Sequence, residues 1–326
     1  MPFRVYAFAL DADDCVMNRI YASLFTSDSE PCIFNVNLKL FLPIIQEIKE
    51  GKFDIVELEI FSNRQSFLID YVKSKGKPPY FFDLIYNIHA ELAKQLSGVK
   101  VVVRGLLTAD IDNDLEAGTS LTRGRQVSFM LGKNGIEPKI LASDKYNPNP
   151  RYIEGTKFNI LYPQVHDLAE RYPSKEGHFV LYHAIDDHPL ILEGIKITFS
   201  EQTGRLLLPA KMKMKLSFYN GLEDPTVFFN CVGEGEADPY FRFTTKAILN
   251  VIRAEKYKAW ERSLDSKKPP NFMLLPDKEL AHDLLEWRLS NHSLHTRTAL
   301  ELYTLLPLKI PEKTVNSPEA SLVLRI

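Results

Sequence analysis

Short, continuously apolar segments alternate with segments of helical spacing along most of this chain, and this alternation constrains the fold more than any other feature. The first such run, residues 5–10, contains no charged residue and predicts a parallel strand that is buried on both faces. Strands that alternate with helices build a parallel sheet with helices packed on it. We therefore predict an α/β fold, with a Rossmann-like parallel sheet flanked by helices.

The same patterns predict the remaining elements. Further strands are predicted at residues 53–61, 99–107, 178–185 and 211–219. The last of these alternates lysines with apolar residues, which is typical of a half-exposed strand at a sheet edge. Helices are predicted at residues 38–49, 81–96, 158–171 and 240–254.

Two regions depart from the alternating pattern. Residues 108–155 are rich in Gly, Asn, Pro and Asp, and we predict a loop-rich insertion there. Pro269 and Pro270 mark a break further on, before a segment of helical spacing and a Pro-containing tail. We therefore predict one domain over residues 1–255 and an appended helical region over residues 256–326.

Composition narrows the function classes. The formal net charge of −2 provides no overall attraction to nucleic acid or to an anionic membrane, so neither is predicted as a partner. The three cysteines are far apart and have no histidine at zinc-ligand spacing, which favours a reducing, cytoplasmic setting. No stretch approaches the roughly 18 apolar residues of a membrane helix, and the N-terminus lacks a secretory signal pattern.

Polar residues that suit phosphoryl transfer follow the predicted strands. They are Asp11 and Asp13 after the first strand, Ser62 after the second, Lys157 before a helix, and Asp186 with Asp187 after the fourth. Because ligands bind at the carboxyl ends of parallel strands, these side chains are predicted to share one site. Carboxylates bind Mg²⁺, an aspartate can attack phosphorus, and a hydroxyl and an ammonium can hold phosphoryl oxygens.

Each of these features is weak alone. An Asp-x-Asp pair is most often a solvated turn, and it can also be the metal site of a nucleotide-sugar glycosyltransferase. Ser62 alone is typical of a helix N-cap, and Lys157 alone is typical of a surface lysine. The order of all four features, three of them directly after a predicted strand, favours one catalytic site.

In this order the residues resemble the four signature motifs of the haloacid dehalogenase (HAD) superfamily. The segment Asp11–Val16 resembles the first motif, Ser62 the second, Lys157 the third and the pair Asp186-Asp187 the fourth. The resemblance covers about residues 3–255. Lys139 and Lys145 compete with Lys157, which we prefer because it directly precedes a predicted helix.

The resemblance implies a Mg²⁺-dependent phosphatase that acts through an aspartyl-phosphate. Asp11 would be the nucleophile and Asp13 the general acid and base, while Ser62 and Lys157 would hold the phosphoryl group. Asp11, the backbone carbonyl of Asp13, Asp186 and Asp187 would form the metal site. Cys15 departs from the family pattern because a threonine is usual at that position.

The spacing between motifs bears on the substrate. Only 51 positions separate Asp11 from Ser62 (62 − 11), which leaves little room for a large cap. Weakly capped members of the family tend to act on macromolecules, so the resemblance implies a phosphoprotein carrying phosphotyrosine or phosphoserine. The predicted substrate contacts are Asn63, Arg123, Arg125 and His188, although a solvated loop also explains the two arginines and local packing also explains the histidine.

Segments 106–120 and 157–187 also resemble HAD-type phosphatases among Dot/Icm type IV secretion effectors. That resemblance implies a bacterial effector delivered into a host cell without a secretory signal peptide. Two alternatives remain open, namely a phosphatase of nucleotides or sugar phosphates and a non-catalytic interaction module with the same fold.

Overall fold

The computed structural model describes residues 1–25, 30–74, 78–134, 157–246 and 248–249. The predicted helical region at 256–326 and the competing Lys139 and Lys145 lie outside these residues.

A six-stranded, mostly parallel sheet forms the centre of the molecule. In chain order its strands are β1 (Arg4–Leu10), β2 (Ile55–Ile60), β3 (Lys100–Val103), β4 (Phe179–Asp186), β5 (Lys213–Phe218) and β6 (Thr226–Val232). Their spatial order is β3-β2-β1-β4-β5-β6, in which only β6 is antiparallel to its neighbour. The predicted α/β fold with a parallel sheet is confirmed.

Helices cover both faces of the sheet. They are α1 (Arg19–Leu24), α2 (Ile33–Val36), α3 (Leu38–Glu50), α4 (Phe67–Lys73), α5 (Phe81–Gln95), α6 (Thr108–Asp112), α7 (Thr119–Asn134), α8 (Phe158–Arg171), α9 (Pro189–Ser200) and α10 (Gln202–Arg205), and residues 241–246 and 248–249 are also helical. The predicted bounds of the helices at 38–49, 81–96 and 158–171 agree with α3, α5 and α8 to within one residue.

The continuous apolarity of β1 follows from its two buried faces. Tyr6, Phe8 and Leu10 point into a core formed with α1, α2, α3 and α5. Val5, Ala7 and Ala9 point into a second core, formed with α8 and α9. Because successive side chains of a strand alternate between faces, a central strand between two helical layers needs apolar residues at every position.

The prediction that residues 211–219 form a sheet edge was wrong. These residues form β5, which pairs with β4 on one side and with the antiparallel β6 on the other, so β6 is the edge. One of the lysines that suggested an edge, Lys215, contacts a helix instead of solvent alone. Lys215 is only half-buried, and its ammonium contacts the carboxylate of Glu47 in α3 at 2.8 Å, so a helix partly covers this face of the strand.

The prediction of a loop-rich insertion was wrong for residues 108–134, which contain α6 and α7, while residues 135–156 lie outside the described part. The fully buried carboxylate of Asp110 organises this region, because it accepts hydrogen bonds from the backbone N–H groups of Leu107 (3.2 Å), Gly118 (3.0 Å) and Ser120 (2.7 Å). Gly124 weakens the helical pattern, but a Cβ there would lie 2.7 Å from Phe82. The glycine therefore permits close packing.

Candidate active site

The strand order reverses between β1 and β4, and the candidate site lies at this point of the sheet. From β1 the chain proceeds to β2 and β3 on one side, and β4 then pairs with the opposite side of β1. Such reversals leave a crevice at the carboxyl ends of the two strands, where ligands bind in open α/β sheets. Asp11 directly follows β1 and Asp186 ends β4, and the backbone N–H of Asp11 donates to the carbonyl of Ile185 at 3.0 Å.

Among the described residues, three carboxylates and one ammonium meet at the carboxyl ends of β1 and β4. Asp11, Asp186 and Asp187 each place an oxygen within 4.8 Å of the others. The ammonium of Lys157, which is fully buried, lies 2.8 Å from Asp11 Oδ1 and 2.6 Å from Asp186 Oδ2. Lys157 precedes the first residue of α8, so the helix start fixes the backbone from which its side chain extends. These four residues, the carboxylate cluster, are brought together as predicted.

The negative charge of the cluster exceeds its positive charge. Burial raises the pKa of Asp11, and the neighbouring Lys157 offsets this only in part. Burial together with the charges of Asp11 and Asp186 raises the pKa of Asp187 to about 8. These shifts express the cost of keeping three carboxylates beside a single ammonium.

The donor set fits a divalent cation that prefers oxygen ligands. Lys157 Nζ lies 2.8 Å from Asp11 Oδ1 and 2.6 Å from Asp186 Oδ2, so two buried carboxylates share one ammonium. Buried carboxylates whose charge is not fully balanced are costly, and a bound cation would offset that cost. Mg²⁺ is bound by one or two carboxylates and completes its shell with water and phosphate oxygens. The carboxylate cluster could hold such an ion.

Ser62 lies beside this cluster in the sheet. It is fully buried and follows β2, whose end is held level with β1 because the backbone N–H of Phe61 donates to the carbonyl of Leu10 at 2.8 Å. The backbone N–H of Arg64 donates to Ser62 Oγ at 3.4 Å, and Gln65 Nε2 donates to the carbonyl of Ser62 at 2.6 Å. The residue is therefore positioned at the strand end, as predicted.

Asp13 lies in a separate group of charges. Its carboxylate pairs with Arg64, where Nη2 contacts Oδ1 and Nε lies 3.3 Å from Oδ2, and with Lys73 Nζ at 3.0 Å. Burial raises the pKa of Asp13, but Arg64 and Lys73 outweigh it and leave the pKa below its ordinary value. The carboxylate of Asp13 does not belong to the carboxylate cluster, and the predicted metal contact through its backbone carbonyl stays a prediction.

The loop between Asp11 and α1 is held by buried amides. Asn18 Nδ2 donates to the carbonyl of Cys15 at 3.0 Å, and its Oδ1 accepts from the first N–H groups of α1. Asn37 Oδ1 accepts from Asn18 at 2.8 Å. Cys15 is fully buried, and burial raises the pKa of its thiol well above the ordinary value. A neutral, inaccessible thiol therefore packs at position 15.

The predicted substrate contacts are dispersed. Arg125 is exposed, lies 4.2 Å from the ring centre of Tyr86 and pairs with Asp83 at 3.8 Å. Arg123 lines a cavity of about 460 Å³ at the end of β3, whose lining includes none of the carboxylate cluster. The structure therefore does not bring these two arginines together with Asp11.

The other two predicted contacts lie nearer to the site. The side chain of His188 is exposed, and its backbone N–H donates to Asp186 Oδ1 at 2.8 Å. Asn63 is half-buried next to Ser62.

Sequence reasoning missed Arg64, Lys73 and Asp70. The sequence offered one signal for Arg64, its position two residues beyond the predicted site residue Ser62. Its guanidinium also pairs with Asp70, a fully buried carboxylate in α4.

Comparison with known proteins adds no relative, since no protein-family model, curated protein or solved structure gives a significant match to the chain. Within the described ranges, none of the helices combines the length and apolar composition that crossing a membrane requires.

Proposed function

We propose that this chain is a HAD-type phosphatase that hydrolyses phosphomonoesters with the help of Mg²⁺. One observation carries the proposal, namely the convergence of Asp11, Asp186, Asp187 and the buried Lys157 where the strand order reverses. The sequence resemblance supports this superfamily, and the strand order, which doubly wound α/β folds share, is compatible with it. An interaction module would not need three carboxylates beside one ammonium at such a point, because the arrangement opposes folding.

The proposed reaction has two steps. In the first, a carboxylate oxygen of Asp11 forms a bond to phosphorus and the ester P–O bond breaks, which gives an aspartyl-phosphate and an alcohol. In the second, water attacks the phosphorus and regenerates the carboxylate with release of phosphate. When bound, Mg²⁺ supplies positive charge that offsets the repulsion between Asp11 and a dianionic ester.

The chain's own residues would stabilise these steps. Lys157 neutralises part of the phosphoryl charge while it holds Asp11 in place. Ser62 can donate a hydroxyl hydrogen bond to a phosphoryl oxygen from the neighbouring strand end. Asp13 is proposed to protonate the leaving oxygen and then to accept a proton from the attacking water. Because Arg64 and Lys73 hold the pKa of Asp13 below its ordinary value, this role requires that the negative charge of a bound ester raises that pKa again.

The proposed substrate is a phosphorylated protein. The segment between Asp11 and Ser62 contains α1, α2 and α3, whose residues pack into the core beside β1. These helices are part of the core and not a separate cap domain. Within the carboxylate cluster Asp11, Asp186 and Lys157 are buried, and Asp187 is half-buried. The proposed role as a bacterial effector rests on the sequence resemblance, and a small phosphate ester is the second candidate substrate.

Turnover of p-nitrophenyl phosphate by the wild-type protein is expected to require Mg²⁺. Removal of the metal with EDTA should lower the rate by about 100-fold or more, because three carboxylates would otherwise repel the dianion. Excess Mg²⁺ should restore the rate, which is measured as p-nitrophenol released over time. A rate that EDTA leaves unchanged would contradict the proposal. A panel of phosphopeptides and sugar phosphates then separates the two substrate classes.

A further inference from the structure

Arg64 is a buried arginine that contacts two carboxylates near the candidate site. Arg64 is only 2% exposed, although its guanidinium carries a full positive charge. Through Nε and Nη2 it contacts both carboxylate oxygens of Asp13. Through Nη1 it contacts the carboxylate of Asp70 and donates to Ser74 Oγ at 2.9 Å. The planar guanidinium thus bridges two carboxylates, which a lysine ammonium of the same charge cannot reproduce.

Asp70 fixes the far side of this bridge. Its carboxylate is fully buried and accepts hydrogen bonds from the backbone N–H groups of Phe81 (3.1 Å) and Phe82 (3.0 Å), at the start of α5. The guanidinium is therefore tied to a helix end that packs in the core. Because its partners do not move freely, Arg64 can act as a rigid support.

Asp13 has less support of its own. Its side chain is 36% exposed, and the next residue, Asp14, adopts a φ of 55°, so the carboxylate sits at a turn near solvent. The other cation that contacts it, Lys73, is itself 36% exposed. Exposed ion pairs contribute little and hold their partners loosely, whereas the buried guanidinium fixes an orientation.

We propose that Arg64 is a positioning residue that fixes the orientation of the Asp13 carboxylate for the proposed reaction. This inference rests on the proposed function, since it assigns to Arg64 a task within that reaction. Lys73 is a secondary contact in this arrangement. The expected signature is a loss of kcat that depends on the presence of the Asp13 carboxylate.

A double-mutant cycle tests this inference in the full-length protein with saturating Mg²⁺ and p-nitrophenyl phosphate. Arg64→Gln is expected to lower kcat about 10-fold with KM changed less than 2-fold. In an Asp13→Asn background the same change should lower kcat less than 2-fold, because there is no carboxylate left to orient. Arg64→Lys should recover only part of the activity, and Lys73→Gln should cost less than 3-fold.

Arg104→Gln is the matched control, because Arg104 also makes a two-point contact with an aspartate, Asp167, at 3.1 and 2.9 Å. It is expected to change the thermal midpoint but not kcat. Thermal unfolding of every variant shows how much protein is folded.

If Arg64→Gln lowers kcat equally in both backgrounds, Arg64 is merely structural and the inference fails. If it raises kcat, Arg64 restrains Asp13 and the inference is overturned. Absence of metal-dependent turnover in the wild type would instead refute the proposed function.

Discussion

Asp11→Asn is expected to lower kcat for p-nitrophenyl phosphate by a factor of about 10⁴, because the amide cannot attack phosphorus. The two side chains have nearly the same shape, so the packing around β1 is retained. The substitution also removes one negative charge from a site where Asp186 and Asp187 already repel the third carboxylate. The variant should therefore be at least as stable as the wild type, and the loss of rate cannot be explained by unfolding. Initial rates at saturating Mg²⁺ measure the effect.

Asp14→Asn is the matched control for this change. Asp14 is exposed and adopts a φ of 55°, a conformation that asparagine tolerates well. The same chemical change three residues away should alter kcat less than 2-fold. Equal activity of Asp11→Asn and the wild type would show that Asp11 is not the nucleophile.

Lys157→Met is expected to destabilise the protein by about 3–5 kcal/mol, since it leaves buried carboxylates without their ammonium. Lys157 is fully buried and contacts both Asp11 and Asp186. The variant should also lose at least about 100-fold in kcat, because the ammonium proposed to hold the phosphoryl oxygens is gone. Urea denaturation without metal measures the stability, and Mg²⁺ should stabilise the variant more than the wild type.

Lys196→Met provides the comparison at a lysine outside the site. The ammonium of Lys196 pairs with Glu193 at 3.2 Å and its side chain is 41% exposed. Its loss should change the free energy of unfolding by less than about 0.5 kcal/mol. A similar small change in Lys157→Met would show that the carboxylate cluster does not depend on this ammonium.

The sequence was sufficient to predict the carboxylate cluster because each member follows or precedes a regular element. Asp11 and Asp186 come at the ends of apolar runs that predict buried strands, and parallel strands bring their carboxyl ends to one edge. Lys157 directly precedes a strongly periodic helix. The local pattern and the topology therefore agree for these residues.

The contacts of Asp13 could not be predicted in this way. Arg64 and Asp13 are 51 positions apart. Hydrophobic periodicity does not show in which direction a charged side chain points or which distant residue it contacts. Asp110 is similar, because one buried carboxylate gathers the N–H groups of a region whose composition indicated a loop. The edge strand β6 was also missed, although its sequence, TVFFNCV, is rich in the β-branched and aromatic residues that favour strands.

The proposed mechanism requires that Asp11 carries the phosphoryl group during turnover. The most direct measurement is an acid quench of the working protein with a ³²P-labelled phosphomonoester, followed by digestion and mapping of the label by mass spectrometry. We predict a label that is stable to acid and released by hydroxylamine, located on Asp11 and absent from Asp11→Asn. Turnover without any trapped label, or a label on a residue other than Asp11, would contradict the aspartyl-phosphate mechanism.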